Sequence, residues 1–364
     1  MIPQLYSIMQ IILSCIIILC PLIIFHELGH YWVGRWRKVQ VETFSIGFGP
    51  ALFQWKDKHG TMWKFCPYLL GGYVKFLGDA DPSGFTTIDT KSSTSITHKK
   101  PWEKILIALA GPVANYILAF GLVLVLAYGF GLPNMNRAVI GRVVTASKAE
   151  GLLFPQDEIV RVQEQSVHSF QDILRVLKST PLKDDLQVTV RRQAQEVPVT
   201  VEGAKDTIKE RFWHGHLGIM PSLTWGAPKH FGHVAVFFVD ECAKPFHMFS
   251  KVGVSNLSGP LGIATQARDV LAQQDLGQVL LMMIALSIAL GFFNLLPIPL
   301  LDGGNVMLNL IEWIRGKPLS DMVTHILLWG SLLLLGGVFL ISSVQDLQKF
   351  AFVQELVNWI KGWL

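Results

Sequence analysis

Ile23-Ile24-Phe25-His26-Glu27-Leu28-Gly29-His30 closes a stretch in which no charged residue occurs from Met1 to Phe25. An ionisable side chain at the centre of a membrane helix costs roughly 2.5–3.5 kcal/mol on insertion scales, so His26, Glu27 and His30 together call for something bound that neutralises them. A metal ion meets that need. In H-E-x-x-H on a helix the histidines at i and i+4 face the same way, so His26 and His30 can share one Zn²⁺ while Glu27 lies beside it to activate water. At ~1.5 Å per residue His26 lies about 27 Å along the helix from Ile8, in the last third of a ~30 Å hydrocarbon layer. The chain therefore reads first as a zinc hydrolase with its active site submerged in a bilayer.

Composition supports a membrane protein. Of 364 residues, 51% are apolar and 16% charged, against roughly 25% charged in globular proteins, and the mean hydropathy is +0.40. The net charge of +4 is dispersed along the chain, which excludes the basic block that nucleic-acid binding needs. Cys15, Cys20, Cys66 and Cys242 make neither a disulfide framework nor a C-x-x-C metal pair.

Four apolar runs follow, near residues 8–32, 105–136, 279–301 and 322–344. The first lacks a basic start and has too long an apolar core for a cleavable signal peptide, so it is expected to stay. Arg35, Arg37 and Lys38 follow it, Lys99, Lys100 and Lys104 precede the second run, and Arg315 and Lys317 separate the third from the fourth. These loops are therefore expected on the cytoplasmic side, with both termini and the insert between spans two and three facing outward. Trp32, Trp36, Trp102 and Trp313, at span ends, read as interfacial anchors.

The organisation expected is a polytopic α-helical membrane protein of about four transmembrane helices with an α+β insert. Residues 1–36 form the first span, 37–100 a cytoplasmic, membrane-dipping β-hairpin region with a linker, and 101–136 the second span. Residues 137–205 form the α+β domain, 206–278 a connecting region with a surface helix near 228–251, and 279–304 the third span. Residues 305–344 hold a loop and the fourth span, and 345–364 an in-plane amphipathic helix. Within the insert, short β-like runs at Val139-Ile140, 159–162, 186–190 and 197–201 surround one helical pattern, Ser169 to Lys178.

A catalytic zinc takes three protein ligands and keeps one position open. The outstanding third candidate is Asp302, because Asn294-Leu295-Leu296-Pro297-Ile298-Pro299-Leu300-Leu301-Asp302-Gly303-Gly304 ends the third span with another submerged carboxylate. The prolines break the helix there, and irregular backbone at membrane depth is tolerated only where it lines a protein cavity. Taken alone, Asp302 could equally cap a helix end. In the second run Ala108, Gly111, Asn115 and Ala119 share a stripe that lets a neighbouring helix approach closely. Asn115 is a candidate to orient a zinc ligand, and packing alone accounts for it as well.

Phe25 through His30 and Asn294 through Gly304, with Ala110-Gly111-Pro112-Val113-Ala114-Asn115 and Gly71-Gly72-Tyr73-Val74-Lys75, resemble the site-2 protease family of intramembrane zinc metalloproteases, nearest its bacterial regulator of sigma-E protease group. The resemblance covers nearly the whole chain. It implies that His26, His30 and Asp302 hold Zn²⁺, that Glu27 is the general base, and that Asn294 bonds the substrate backbone while Pro297 and Pro299 hold their segment extended. Gly71, Gly72 and Tyr73 are further candidates for substrate contact, on a strand edge that would pair with an unwound substrate. The insert resembles a PDZ domain of the bacterial protease type, except that Gln156 replaces the usual glycine before Asp157 and Gln163-Glu164-Gln165 replaces an Asn-Gly turn. The partner implied is a single-span membrane protein, of the anti-sigma factor or remnant signal peptide kind, in the inner membrane of a bacterium. Two rivals stay open: a non-catalytic membrane adaptor built on the PDZ-like domain, and a metal transporter, which would need more polar residues than spans two and four carry.

Overall fold

In a computed structural model, residues 2–79, 93–134, 137–143, 147–179, 185–202, 219–221, 224–226, 228, 230–252, 259–272, 274–317 and 319–348 are described. They fall into two units, Met1–Leu126 with Ala235–Leu364, and Ala127–Val234.

The first unit is built on apolar helices: α1 (Ile2–Trp36), α2 (Pro101–Gly129), and further along the chain α4 (Phe231–Val252), α5 (Pro260–Ala272), α6 (Leu276–Asn294), α7 (Asp302–Arg315) and α8 (Asp321–Gln348). Segments Met9–Trp36, Pro101–Gly129, Leu276–Asn294 and Met322–Asp346 are long and apolar enough to cross a membrane. The chain is thus a multi-pass membrane protein with four candidate spans, as the apolar runs led us to expect. Pro21 and Pro112 lie inside α1 and α2, tolerated in apolar helices because packed neighbours re-satisfy the freed backbone groups.

The third span is broken around Pro297 and Pro299, as the sequence led us to expect. The apolar run continues to Leu301, but α6 stops at Asn294 and Asp302 opens a separate helix, α7. Between them, Ile298 N–H donates to Leu296 O and Leu301 N–H to Ile298 O, both at 2.7 Å. This segment is a run of tight turns, not the extended strand expected from Pro297 and Pro299. The two glycines after Asp302 make the folding-back possible: a Cβ on Gly303 would lie 2.3 Å from Leu295 O, and one on Gly304 2.1 Å from Ile298 O.

Helix α5 was not foreseen, because its polar residues Gln266, Arg268 and Asp269 mask a stripe of small ones. Its Ala267 packs with Ile18 of α1 and Val279 of α6, flanked by Leu19, Met282 and Met283. The start of α5 is held by α8, where the buried Asp346 carboxylate accepts the Gly262 N–H at 2.7 Å. Negative charge at a helix N-terminus is favourable there. Asp346 thus ends the fourth candidate span, on a helix that continues to Gln348; residues 349–364, where the amphipathic helix was expected, lie outside the described residues.

The region expected as a β-hairpin is a four-stranded mixed sheet of β1 (Val41–Phe48), β2 (Phe53–Lys56), β3 (Met62–Phe65) and β4 (Tyr68–Phe76), in the order β2-β3-β1-β4. Strand β1 pairs parallel with β3 and antiparallel with β4. The extra strands arise because Asp57 closes a tight turn, its Oδ1 accepting from His59 N–H at 2.8 Å and Thr61 N–H at 2.9 Å, with Gly60 at φ 87°. Tyr31, Phe44, Phe76 and Ile107 form a buried cluster that binds this sheet to α1 and α2. Ion pairs Arg37–Glu103 at 2.6 Å and Lys104–Glu312 at 3.3 Å join the turn after α1 to α2, and α2 to α7.

The second unit contains β5 (Leu132–Asn134), β6 (Ile140–Val143), β7 (Glu158–Val162), β8 (Gln165–Ser166), α3 (Phe170–Ser179), β9 (Leu186–Arg192), β10 (Gln195–Val201), β11 (Ile219–Pro221) and β12 (Thr224–Gly226). The main sheet runs β10-β9-β7-β8 and the pairs β11-β6 and β12-β5 stand apart. Alternation fixes the register: Leu186, Val188 and Val190 of β9 are buried with Ile159, Val162, Phe170 and Ile173. The positions where the sequence departs from the usual turn residues are strained, with Gln156 at φ 73° and Gln163 at φ 56°. The β9–β10 hairpin likewise turns through Gln193 and Ala194, both at positive φ, 49° and 65°, where Asn-Gly is the relaxed choice.

Asp157 anchors this unit. It is 2% exposed, accepts from Arg192 at 2.8 and 2.7 Å and takes the Phe154 N–H at 3.0 Å. Burial pushes its carboxyl up, but the Arg192 guanidinium and the Phe154 N–H outweigh this and hold it below the ordinary carboxylate range. The stability so gained is present above the unfolded carboxylate pKa and disappears as pH falls through the lower folded value. Removing one partner of a buried pair is costly, moderated here because Arg192 is partly exposed. Asp157→Asn is expected to lower the opening free energy of β7 and β9 amides by about 2 kcal/mol at neutral pH. Hydrogen exchange on the full-length protein checks this, and unchanged protection would contradict it.

Candidate metal centre

Helix α1 places His26 and His30 one turn apart on its buried face, 7% and 8% exposed. The turn-rich segment after α6 swings Asp302, at the start of α7, to the same point. Asp302 Oδ2 lies 3.1 Å from His26 Nε2 and 3.4 Å from His30 Nε2, and the two Nε2 atoms are 3.3 Å apart. Ligands about 2.1 Å from a tetrahedral ion stand about 3.4 Å from one another, so the triangle has the size zinc requires. A second observation fits the same ion: Asp302 Oδ2 is buried and has no hydrogen-bond partner, although two ring nitrogens face it. A buried carboxylate oxygen left unpartnered beside two ring nitrogens suits a cation shared by all three. Among the described residues this is the one His/Cys/Asp/Glu group of that kind.

Helix α2 forms the wall of the site. Gly29 of α1 lets it approach, since a Cβ there would sit 2.2 Å from Ala110 O. Gly111 leaves room for the rings, since a Cβ there would lie 2.2 Å from His30 Nε2 and 2.8 Å from His26 Cε1. His30 Nδ1 bonds Ile107 O at 2.8 Å; a carbonyl only accepts, so Nδ1 carries the proton and Nε2 turns its lone pair inward. His26 Nδ1 meets the Asn115 side chain at 3.1 Å. Helix α6 backs this wall through Ser287, whose hydroxyl donates to Asn115 O at 2.8 Å. From the end of α6, Asn294 Nδ2 reaches to 3.4 Å from His26 Nε2.

Residues 14–338 match peptidase family M50. The chain belongs to that family. It is 31% identical over 341 residues to a "Putative zinc metalloprotease" of Rhizobium meliloti, covering 86% of this chain and 90% of the relative. It is 32% identical over 359 residues to a "Putative zinc metalloprotease" of Rickettsia conorii, covering 93% and 98%. Metalloprotease MmpA of Caulobacter vibrioides is 28% identical over 384 residues, covering 93% and 96%. With the His-His-Asp triangle, this makes the chain a zinc metalloprotease of family M50.

In this M50 peptidase Glu27 is buried, 7% exposed, and β4 of the mixed sheet passes against it. A Cβ on Gly72 would lie 2.9 Å from Glu27 Cγ and 3.1 Å from Ile23 Cγ2. Gly72 is thus required by the close approach of strand to helix, whatever else it touches. Gly71 lies against Phe48, and Tyr73 stacks on Phe48 with ring centroids 6.1 Å apart. Neither joins the metal cluster. His325, in the fourth span, is exposed and stands outside the cluster. Ile107 could not be picked out from residue types, because a backbone carbonyl leaves no mark in side-chain identity.

Proposed function

We propose that this M50 peptidase is an intramembrane endopeptidase of the regulator of sigma-E protease kind, cutting a transmembrane segment of a single-span protein. The observation that carries the reading is the triangle of His26 and His30, inside the first candidate membrane span, with Asp302, just beyond the third. When bound there, zinc supplies Lewis-acid polarisation of the scissile carbonyl and a water whose pKa falls towards ~7. Glu27 takes the water's proton and returns it to the leaving amine. Asn294 offers its amide to the substrate backbone beside the cut. A helical substrate shields its own peptide bonds, so it unwinds and pairs with β4, the outer strand of the sheet, which runs past Glu27.

We read the loops rich in Lys and Arg as cytoplasmic, in a bacterial inner membrane, and the insert between spans two and three as lying outside. We read that unit as a PDZ-like domain that filters substrates by the size of their outer portion, which suits an anti-sigma factor already clipped outside or a remnant signal peptide. In liposomes containing the full chain, a single-span substrate with a short outer portion is expected to be cut, and the same substrate with a folded outer domain spared. Equal cleavage of both would remove the filter, and cleavage of neither would remove the substrate class. The adaptor reading is disfavoured because it leaves the convergent ligand triangle without a purpose.

A further inference from the structure

We infer that Asn115 is the positioning residue that sets the tautomer of His26, its side-chain oxygen accepting the Nδ1 proton so that Nε2 offers a lone pair to the metal. The inference rests on the zinc site described above. Asn115 is fully buried and its Oδ1 has no hydrogen-bond partner, while the amide stands 3.1 Å from His26 Nδ1. With the amide nitrogen against Nδ1, that ring atom would have to be bare and the proton would sit on Nε2, aimed at His30 and Asp302. Such a histidine cannot ligate through Nε2.

The oxygen and nitrogen of an amide have the same shape and exchange places by a half-turn of the side chain. After that turn Oδ1 faces Nδ1, the stranded acceptor gains its donor, and both histidines present the same tautomer. Ile107, Gly111 and Asn115 are spaced four apart on α2, so one helix face supplies the Nδ1 acceptor for His30, the space between the rings, and the Nδ1 acceptor for His26. A ligating histidine is generally fixed through its other nitrogen, and losing that partner weakens metal binding about 10- to 100-fold.

The test is zinc affinity of the full-length protein in detergent, measured by chelator competition alongside thermal unfolding. Asn115→Leu, which keeps the branched heavy-atom skeleton and removes the acceptor, is expected to weaken zinc about 10- to 100-fold. Asn115→Asp, which keeps an acceptor oxygen, is expected to bind zinc as tightly as wild type or more so. A packing role predicts the reverse pattern, a lower melting temperature with unchanged zinc affinity, and would overturn the inference. Should Asn115→Leu not fold, Asn115→Ala against Asn115→Asp decides: zinc weakened about 10- to 100-fold in the alanine variant alone supports the assignment, and equal affinity in the two overturns it. Wild-type protein that takes up no zinc would overturn the site itself and this inference with it, an outcome distinct from loss of the Asn115 effect alone.

Discussion

Glu27→Gln is expected to lower cleavage by about 10³-fold while zinc content stays at the wild-type level. Glutamine matches the size of glutamate and can still donate and accept hydrogen bonds, but it cannot take a proton from water at neutral pH. Glu27 is not one of the three converging ligands, so the metal has no reason to leave. The carboxyl is also held in place: β4 crosses so tightly that Gly72 has no room for a Cβ beside Glu27 Cγ. A variant that loses proton transfer without losing packing should therefore bind substrate and hold it uncut. Single-turnover cleavage and elemental analysis on the same preparation check this. Activity within tenfold of wild type would remove Glu27 as the base, and loss of zinc would show that it holds the metal.

Gly111→Ala is expected to remove zinc binding and cleavage together, whereas Gly121→Ala on the same helix is expected to change neither. One methyl group separates the two outcomes. At Gly111 it would stand 2.2 Å from His30 Nε2 and 2.8 Å from His26 Cε1, while at Gly121 nothing lies within 4 Å. His30 cannot easily yield, because its Nδ1 is tied to Ile107 O, and α2 cannot retreat without losing its contact with Gly29. Displacing a ligand or reacting group by about 1 Å costs on the order of 10²-fold in rate, so the zinc-loaded fraction and turnover should both collapse. Equal zinc occupancy in the two variants would show that α2 does not wall the site.

The metal ligands were legible because their cost is legible. Charge inside an apolar helix demands compensation, which makes His26, Glu27 and His30 conspicuous, and the Pro-interrupted run ending at Asp302 conspicuous in turn. The four spans followed from hydropathy alone, and the α+β insert from its alternating strands. What failed was backbone detail. Pro297 and Pro299 fix their own φ but not the turn sequence around them, so an extended segment and a run of turns were equally compatible with the residues. The hairpin became a four-stranded sheet because Asp57 satisfies the tight turn between β2 and β3, a local hydrogen-bond pattern that periodicity cannot register. Helix α5 escaped because small residues such as Ala264 and Ala267 carry little hydropathy, although their smallness is what lets the helix lie against α1. The role of Asp346 was illegible for a related reason: its partner, the start of α5, lies 84 positions away.

The central claim is that residues from α1 and from the start of α7 hold one zinc ion between them. Zinc stoichiometry of the detergent-purified full-length protein, wild type against Asp302→Ala, tests it most directly. The geometry predicts one zinc per chain in the wild type and a clearly substoichiometric content in the variant, since two histidines alone leave the ion short of its three protein ligands. Equal zinc in the two proteins would contradict it.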